Sequence, residues 1–207
     1  MSNDCIAIDC EMVGVGHMGS ESALARVSIV NYYGEKLFDK FVKPKRVIRD
    51  YRTQYSGITA KHLENAADFD EVQLEVQELL KEKLIIGQSP GFDFKALELE
   101  WPVSTIRDTA QYYYLFGNMF GRRQPINKKP SLKRLANEVL GLNIQKSSHD
   151  SIEDARICML LYRLKQTEWE NNTVNKSAFT SLDVGKCRLC GSTNHVRRQC
   201  PRNPWRS

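Results

Sequence analysis

The sequence predicts an α/β domain in which helices flank a mixed sheet. Three early segments have the apolar and β-branched composition of strands: Cys5–Met12, Ala25–Asn31 and Lys36–Val42. The second and third are separated by residues 31–34, Asn-Tyr-Tyr-Gly, which are typical of a hairpin turn. Later segments show helical spacing of apolar residues. Strands followed by alternating helices indicate a sheet that begins as an antiparallel meander.

The later predicted elements are mostly helices. Thr59 is suited to cap a short helix that ends at Leu63, and Ser131 to cap one that Gly141 ends. The other predictions are a helix over Asp70–Leu80, a strand over Leu84–Gly87, a helix that begins with Asp93–Glu98, a helix over Leu132–Leu140 and a long helix over Ser151–Lys165. The last helix is expected to place its apolar residues on one side: Ile157, Leu160, Leu161 and Leu164.

Length and charge divide the chain into a body and a basic tail. Its 207 residues, 41% of them hydrophobic, suit one domain with a buried core plus an appendage. We expect a domain over residues 1–165, a polar linker over 166–185 and a tail module over 186–207. From residue 184 onward the chain has six Lys or Arg and no acid, so residues 1–183 hold about −1 of the net +5. Such a tail favours phosphate groups as ligands; the alternative is a disordered segment that only aids solubility.

The composition argues against two classes of protein. No apolar run approaches the ~20 residues that a membrane helix needs, and the first residues lack the basic stretch of a secretory signal. Six cysteines in a chain with intracellular character do not predict a disulfide framework. Cys5, Cys10 and Cys158 are expected to be buried thiols, whereas the other three cluster near the C-terminus.

Four carboxylates and a histidine occur along the chain in a definite order: Asp9, Glu11, Asp93, His149 and Asp154. Alternate residues of a strand face the same way, so Asp9 and Glu11 are expected side by side in an apolar run. Buried acids are unfavourable unless cations neutralise them. Carboxylate oxygens are the ligands that Mg²⁺ and Mn²⁺ prefer. The pattern therefore predicts a pair of divalent ions held by the four acids, with His149 beside them as a base.

This ordered set resembles the DEDDh family of 3′→5′ exonucleases, within it the branch that contains the interferon-stimulated exonuclease and RNA exonuclease 4. Further blocks between Cys5 and Leu164 are similar to that family: residues 7–14, 24–28, 50–59, 93–97, 107–109 and 131–135. The resemblance implies a ribonuclease H-like fold and two-metal phosphodiester hydrolysis. It implies that Asp9 bridges the metals, that Glu11 and Asp154 complete the nucleophile-activating site, and that Asp93 holds the second metal mostly through water. His149 then takes the proton from the attacking water.

Three further residues are candidates for substrate binding. Met12 and Arg52 match family positions near the terminal nucleotide, where a thioether packs on the sugar and an arginine reaches sugar or phosphate. The structural alternatives are a core position for Met12 and a loop-capping role for Arg52. Phe92 is either a stacking platform for the terminal base or a core residue. The segment 88–92 lacks the histidines of similar relatives, which leaves the preferred sugar open.

The C-terminal segment carries the motif C-x2-C-x4-H-x4-C, with ligands Cys187, Cys190, His195 and Cys200. Three thiolates and one imidazole predict a closed, tetrahedral structural zinc site. The spacing resembles a retroviral-type zinc knuckle, a class of module that binds single-stranded nucleic acid. Arg188 stands where such knuckles have an aromatic residue, which favours affinity over sequence reading. A knuckle that binds a protein partner is the alternative.

Together these patterns predict a metal-dependent 3′→5′ exonuclease that releases nucleoside 5′-monophosphates from single-stranded RNA or DNA, with RNA slightly favoured by the resemblance. The expected cofactors are two Mg²⁺ or Mn²⁺ and one Zn²⁺, and no membrane partner is expected. A catalytically silent capture protein and an endonuclease on the same fold are the alternatives. The resemblance favours nucleus or nucleolus over cytoplasm, and residues 43–46, Lys-Pro-Lys-Arg, are either a nuclear signal or a surface loop.

Overall fold

The computed structural model describes residues 4–111, 129–145 and 147–183, with side chains of the last helix described to residue 171. The chain divides into two compact units, Met1–Lys165 and Gln166–Ser207. The first unit contains the sheet and the predicted catalytic residues. The four predicted zinc ligands lie outside the described residues: Cys187, Cys190, His195 and Cys200.

A mixed sheet lies at the centre of the first unit. Its seven strands in the described part of the chain are β1 Cys5–Val15, β2 Glu21–Asn31, β3 Lys36–Lys43, β4 Ile48–Asp50, β5 Ala67–Asp68, β6 Leu84–Gly87 and β7 Ile106–Asp108. The strand order is β5-β3-β2-β1-β6-β7, and β4 pairs with β1. β1, β2 and β3 are antiparallel neighbours, whereas β6 and β7 continue the sheet in parallel. The predicted α/β class, mixed sheet and antiparallel meander are confirmed.

The first hairpin is longer than predicted. β1 continues past Met12 to Val15 and β2 begins at Glu21, because these flanking residues pair with each other. The register shifts between Glu11 and Met12, which marks a bulge beside the predicted metal ligands. The turn between β2 and β3 is as predicted, with the Gly34 amide donating to the Asn31 carbonyl at 3.0 Å.

The described residues contain six α-helices: α1 Thr53–Ser56, α2 Ala60–Leu63, α3 Phe69–Leu80, α4 Gly91–Ala96, α5 Leu132–Leu140 and α6 Ser151–Asp183. The predicted caps are confirmed: Thr59 forms a capping box with His62, and the Ser131 hydroxyl accepts from the Arg134 amide at 3.3 Å. Gly141 ends α5 in the left-handed conformation. α4 begins at Gly91 rather than Asp93 and ends at Ala96.

The last helix differs from its prediction in two ways. The chain is helical through Asp183, so the expected linker over 166–185 is mostly helix, although Lys165 leaves the helical conformation and marks a break where the prediction ended the helix. Ile157 and Leu161 are buried as expected, but Leu160 and Leu164 are 39% and 50% exposed. A helix turns 100° per residue, and the buried face also includes Asp154 and Cys158, so the apolar residues alone misplaced its centre.

The main core lies between the sheet and the helices that cover it. It contains apolar residues from β1, β2, β3, β6, α3 and α4, among them Ile8, Leu24, Ile29, Val76 and Ile85. The three cysteines outside the tail motif are buried thiols, as predicted. No helix of the described residues is long and apolar enough to cross a membrane.

Candidate active site

Three of the predicted acids meet at one point on the sheet. One carboxylate oxygen each of Asp9, Glu11 and Asp154 lies within 4.8 Å of the other two. Asp9 and Glu11 are alternate residues of β1 and share a face, as the strand pattern predicted. Asp154 comes from the first turn of α6, which brings the C-terminal part of the domain onto β1. The arrangement provides a set of ligands made only of oxygen.

Ionisation of these three acids is strongly unfavourable in the absence of a cation. Burial and the neighbouring carboxylates, first Asp93 and then Asp154, raise the pKa of Asp9 well above its ordinary value. Burial, followed by Asp154, raises the pKa of Glu11 to about 8. Burial also raises the pKa of Asp154 to about 6. Since like charges at this spacing repel each other, the deprotonated set requires a counter-charge.

Two buried oxygens in this group lack hydrogen-bond partners among the residues the structure describes: Glu11 Oε1 and Asp154 Oδ1. A buried acceptor without a donor is unfavourable, and a metal–oxygen bond would satisfy it. Hard oxygen ligands of this kind suit Mg²⁺ and Mn²⁺. The residues therefore fit a divalent cation at Asp9, Glu11 and Asp154.

Asp93 lies next to this group but has a different contact. It is buried in the first turn of α4, and its Oδ1 accepts from the Cys10 amide at 3.1 Å. Cys10 stands between Asp9 and Glu11, so this bond fixes α4 against the ligand-bearing part of β1. Burial raises the pKa of Asp93 to about 8. Its oxygens are not part of the group of three, and its water-mediated role at a second metal stays a prediction.

His149 lies at the edge of the acidic group. Its amide donates to the Tyr55 carbonyl at 2.7 Å, and its Nδ1 is 3.5 Å from Asp154 Oδ2. The imidazole is partly exposed, as a base that must reach a water molecule has to be. Burial, and then the positive charge of Lys133, lower the pKa of His149 below its ordinary value. A neutral imidazole at neutral pH is able to accept a proton.

Two residues at the site were not assigned a role from the sequence. Gln145 donates from Nε2 to Asp154 Oδ2 at 2.8 Å and lies 3.4 Å from His149 Nδ1. Arg26 is directly opposite Glu11 in the β1–β2 register. Burial raises the Glu11 pKa, and the positive charge of Arg26 partly opposes that rise. Alternation within a strand does not set the register between β1 and β2, so it does not indicate that Arg26 lies opposite Glu11. No sequence signal indicates Gln145, whose backbone has a φ of +51°.

The three predicted substrate residues have different surroundings. Met12 is partly buried and packs against the main core. Arg52 donates to Ser22 Oγ and to the Gly19 carbonyl, both at 2.8 Å, which is the loop-capping alternative. Phe92 directly precedes Asp93 and is 73% exposed. The alternative that Phe92 is a core residue is therefore wrong.

Known proteins with similar sequences and structures agree on the type of domain. Relatives named RNA exonuclease 4 are 48% identical over 167 residues in Debaryomyces hansenii and 44% identical over 173 residues in Saccharomyces cerevisiae, covering 81% and 82% of this chain. The relative in Mus musculus is 43% identical over 84% of the chain. The chain spans 59%, 58% and 39% of the lengths of these three curated relatives.

Solved structures of the Pan2 nuclease module have the same fold. The Saccharomyces cerevisiae Pan2 pseudoubiquitin hydrolase–RNA exonuclease module in complex with AAUUAA RNA aligns with a TM-score of 0.69 and 29% identity, covering 89% of this chain and 32% of that one. The Neurospora crassa Pan2 catalytic unit aligns with a TM-score of 0.67 and 27% identity, covering 88% and 30%. The sequence profile of the exonuclease family RNase_T matches residues 6–162, which include all five predicted catalytic residues. The chain belongs to this exonuclease family.

Proposed function

We propose that this chain is a metal-dependent 3′→5′ exonuclease that degrades single-stranded nucleic acid from a free 3′-hydroxyl and releases nucleoside 5′-monophosphates. The observation that carries the proposal is the meeting of Asp9, Glu11 and Asp154 within 4.8 Å, with His149 beside them. A binding protein that only captured nucleic acid would have no need for acids in so unfavourable an arrangement.

In the proposed mechanism, different residues bind metal, accept a proton and position a ligand. Asp9, Glu11 and Asp154 would hold divalent metal, with Asp93 contributing to a second ion through water. Two such ions supply an activated water and stabilise charge on the leaving 3′-oxygen when they are bound. His149 accepts the proton of the attacking water, because its lowered pKa keeps the imidazole neutral. Gln145 holds the Asp154 carboxylate in place through its amide.

Single-stranded RNA is the proposed substrate. Three relatives from two yeasts and mouse are named RNA exonuclease 4, and the Pan2 module is described in complex with short RNAs. The exposed ring of Phe92, one residue before Asp93, supports the proposal that it stacks on the terminal base. Stacking does not distinguish ribose from deoxyribose, so activity on single-stranded DNA is also expected.

The test uses 5′-labelled single-stranded RNA and DNA, each with a free or a blocked 3′ end, in the presence of Mg²⁺ or Mn²⁺. The native chain is expected to give a ladder of single-nucleotide steps that depends on the metal and on the free 3′ end. Asp9→Asn is expected to abolish the ladder. Cleavage of substrates with blocked ends would indicate an endonuclease, and retained binding without cleavage would indicate a capture protein.

The C-terminal motif supports a second, accessory proposal. Residues 187–200 would bind one structural Zn²⁺ through Cys187, Cys190, His195 and Cys200 and would hold single-stranded nucleic acid near the active site. Elemental analysis is expected to find one zinc per native chain and none in Cys187→Ser. Loss of zinc without any change in RNA affinity would favour a protein partner for the knuckle.

A nuclear or nucleolar location is likewise proposed, and microscopy of the tagged chain tests it.

A further inference from the structure

A groove lies immediately beyond the C-terminal end of β1. It encloses a cavity of about 600 Å³, lined by Gly16, His17, Met18, Arg46, Val47 and Arg49. These residues come from the turn after β1, from the segment that leads into β4 and, for Arg49, from β4 itself. The pairing of β4 with β1, Gly14 with Asp50 and Val15 with Ile48, holds the two segments next to each other. The groove is thus built on the same strand that carries Asp9 and Glu11.

Two side chains of the groove are unusually exposed for apolar residues. Met18 is 85% exposed and Val47 is 71% exposed. Met18 also has a backbone φ of +54°, a conformation that non-glycine residues seldom adopt. A flexible thioether on a surface of this kind can pack against flat groups such as a base or a sugar. The groove therefore offers an apolar surface.

The rim of the groove is positively charged. Residues 43–49 contain Lys43, Lys45, Arg46 and Arg49 and no acid. Two of these cations are paired: Lys45 lies 2.6 Å from Asp70, and Arg46 donates to Glu21 Oε1 at 3.0 Å. Arg49 is exposed and forms no ion pair with any residue that the structure describes. The paired cations fix the loop, and Arg49 is left to bind an external anion.

Gly16 allows this geometry. Its φ is +74°, and a Cβ at this position would lie 2.2 Å from Glu21 Oε1 and 3.1 Å from Arg46 Nη2. The Glu21–Arg46 pair can therefore close over the backbone of Gly16 and form one wall of the groove. Gly16 comes five positions after Glu11 along the chain, which is roughly 16 Å in a strand. A nucleic acid strand whose 3′ end is at the acids reaches this distance within a few nucleotides.

We propose that this groove is a subsite for upstream nucleotides of the single-stranded substrate, in which Arg49 contacts a phosphate and Met18 and Val47 pack against a base or sugar. The inference rests on the proposed function and extends it, because it names residues that determine affinity for longer substrates. Phosphate contacts of this kind carry no sequence information. The subsite strengthens binding in proportion to the length of strand available, without selecting a sequence.

The test measures binding by full-length chains that carry Asp9→Asn, so that the substrate stays intact. Fluorescence anisotropy is recorded for 5′-labelled RNAs of three, six and twelve nucleotides over a range of salt concentrations with Mg²⁺ present. Adding Arg49→Gln is expected to weaken binding of the twelve-nucleotide RNA on the order of fivefold and to reduce its salt slope by about 0.7. The loss should increase with RNA length. Arg49→Lys should restore most of the affinity.

Two further variants separate the parts of the groove. Met18→Gln is expected to weaken binding of the long RNA and leave the salt slope unchanged, because it removes an apolar contact and no charge. The matched control is Lys36→Gln, because Lys36 begins β3 and lies at the far end of that strand from Lys43. This variant should change neither the affinity for the long RNA nor the salt slope. If Arg49→Gln behaves like Lys36→Gln, or weakens all three RNAs equally, the subsite is refuted. The cleavage ladder of the chain with Asp9 intact tests the proposed function separately.

Discussion

Individual acids explain why this site needs a cation. Glu11 and Asp154 are buried, each has one oxygen without a hydrogen-bond donor among the described residues, and each has a raised pKa. If these positions contributed only to the stability of the fold, amide or apolar side chains would be more favourable there. Their arrangement lowers the stability of the protein without a cation and favours the binding of a divalent cation.

Glu11→Gln should stabilise the metal-free protein in a pH-dependent way. Because the folded-state pKa of Glu11 is raised to about 8, the folded state holds a proton that the unfolded state releases. The contribution of Glu11 to the free energy of unfolding is therefore most favourable below the ordinary glutamate pKa, and it decreases as the pH rises toward 8. At pH 8 with a chelator, we expect Glu11→Gln to raise Tm by about 4–8 °C, which corresponds to about 2 kcal/mol.

The measurement is thermal unfolding at pH 4.5 and pH 8, with chelator or with Mg²⁺. The advantage of Glu11→Gln should nearly disappear at pH 4.5 and should be cancelled by Mg²⁺, which binds the wild-type acids. Glu64→Gln, an exposed change of the same kind, is the control. A Glu11→Gln protein that melts below wild type at pH 8 without metal would contradict this account.

Lys133 should set the acid limb of the activity. Its Nζ donates to the Gln145 carbonyl at 2.8 Å, and its charge helps to lower the pKa of His149. Removing that charge in Lys133→Gln lets the His149 pKa rise, so the imidazole becomes protonated at a higher pH. We expect the acid limb of kcat/KM to move to higher pH in Lys133→Gln and to stay in place in Lys133→Arg. Identical profiles in the two variants would show that Lys133 does not act through its charge.

At the scale of elements, the start of α6 determines where Asp154 lies. Two buried hydroxyls, Ser28 Oγ on β2 and Ser151 Oγ at the first residue of α6, are 2.7 Å apart. Ser28 also donates to Asp39 on β3 at 2.8 Å. Asp150 accepts from the Ile152 amide at 2.9 Å and caps the helix. These bonds tie the helix to the sheet in the same turn that carries the predicted metal ligand Asp154.

Ser28→Ala should loosen this attachment. It leaves the Ser151 hydroxyl buried without this partner and removes a donor to Asp39, so we expect a loss of about 1–3 kcal/mol of stability. Because Asp154 follows in the same helical turn, the affinity for Mn²⁺ should also fall. Thermal unfolding and Mn²⁺ titration measure the two effects, with the exposed Ser104→Ala as control. Lower stability with unchanged Mn²⁺ affinity would mean that Asp154 is held by other contacts, such as Gln145.

At the scale of the whole molecule, the proposed catalytic residues all belong to the first unit, Met1–Lys165. The proposed zinc ligands belong to the second, Gln166–Ser207. The two proposed tasks, cleavage and tethering of the strand, are therefore carried by different parts of the chain. Trp169, just past the break at Lys165, is fully buried. A truncation that tests the division should therefore keep the helix.

A chain that ends at Asp183 should keep catalysis and lose the tether. We expect kcat on a trinucleotide to stay within about twofold of the full-length value, while zinc disappears and KM for long RNA rises about tenfold or more, as expected when an intramolecular second contact is lost. Steady-state kinetics on RNAs of two lengths and elemental analysis provide the measurement. A loss of kcat on the trinucleotide together with a normal unfolding transition would place part of the catalytic machinery in the second unit.

The sequence alone determined the features that depend on neighbours in the chain. Asp9 and Glu11 share a face because side chains alternate along a strand, and Ser131 and Gly141 bound α5 because capping is a local interaction. The order of the five predicted catalytic residues indicated the family before any geometry was known. In each case the physical signal extends over only a few residues, or depends on residue identity alone.

Only the tertiary structure decided the features that depend on distant contacts. It placed Asp154 against β1, put Arg26 opposite Glu11 in the hairpin register, and turned Gln145 toward Asp154 through a left-handed backbone. It also exposed Phe92 and brought the turn after β1 next to the basic segment 43–49, which are distant from each other in the sequence. The position of a side chain in such places is set by how sheet and helices pack, which a local pattern does not encode.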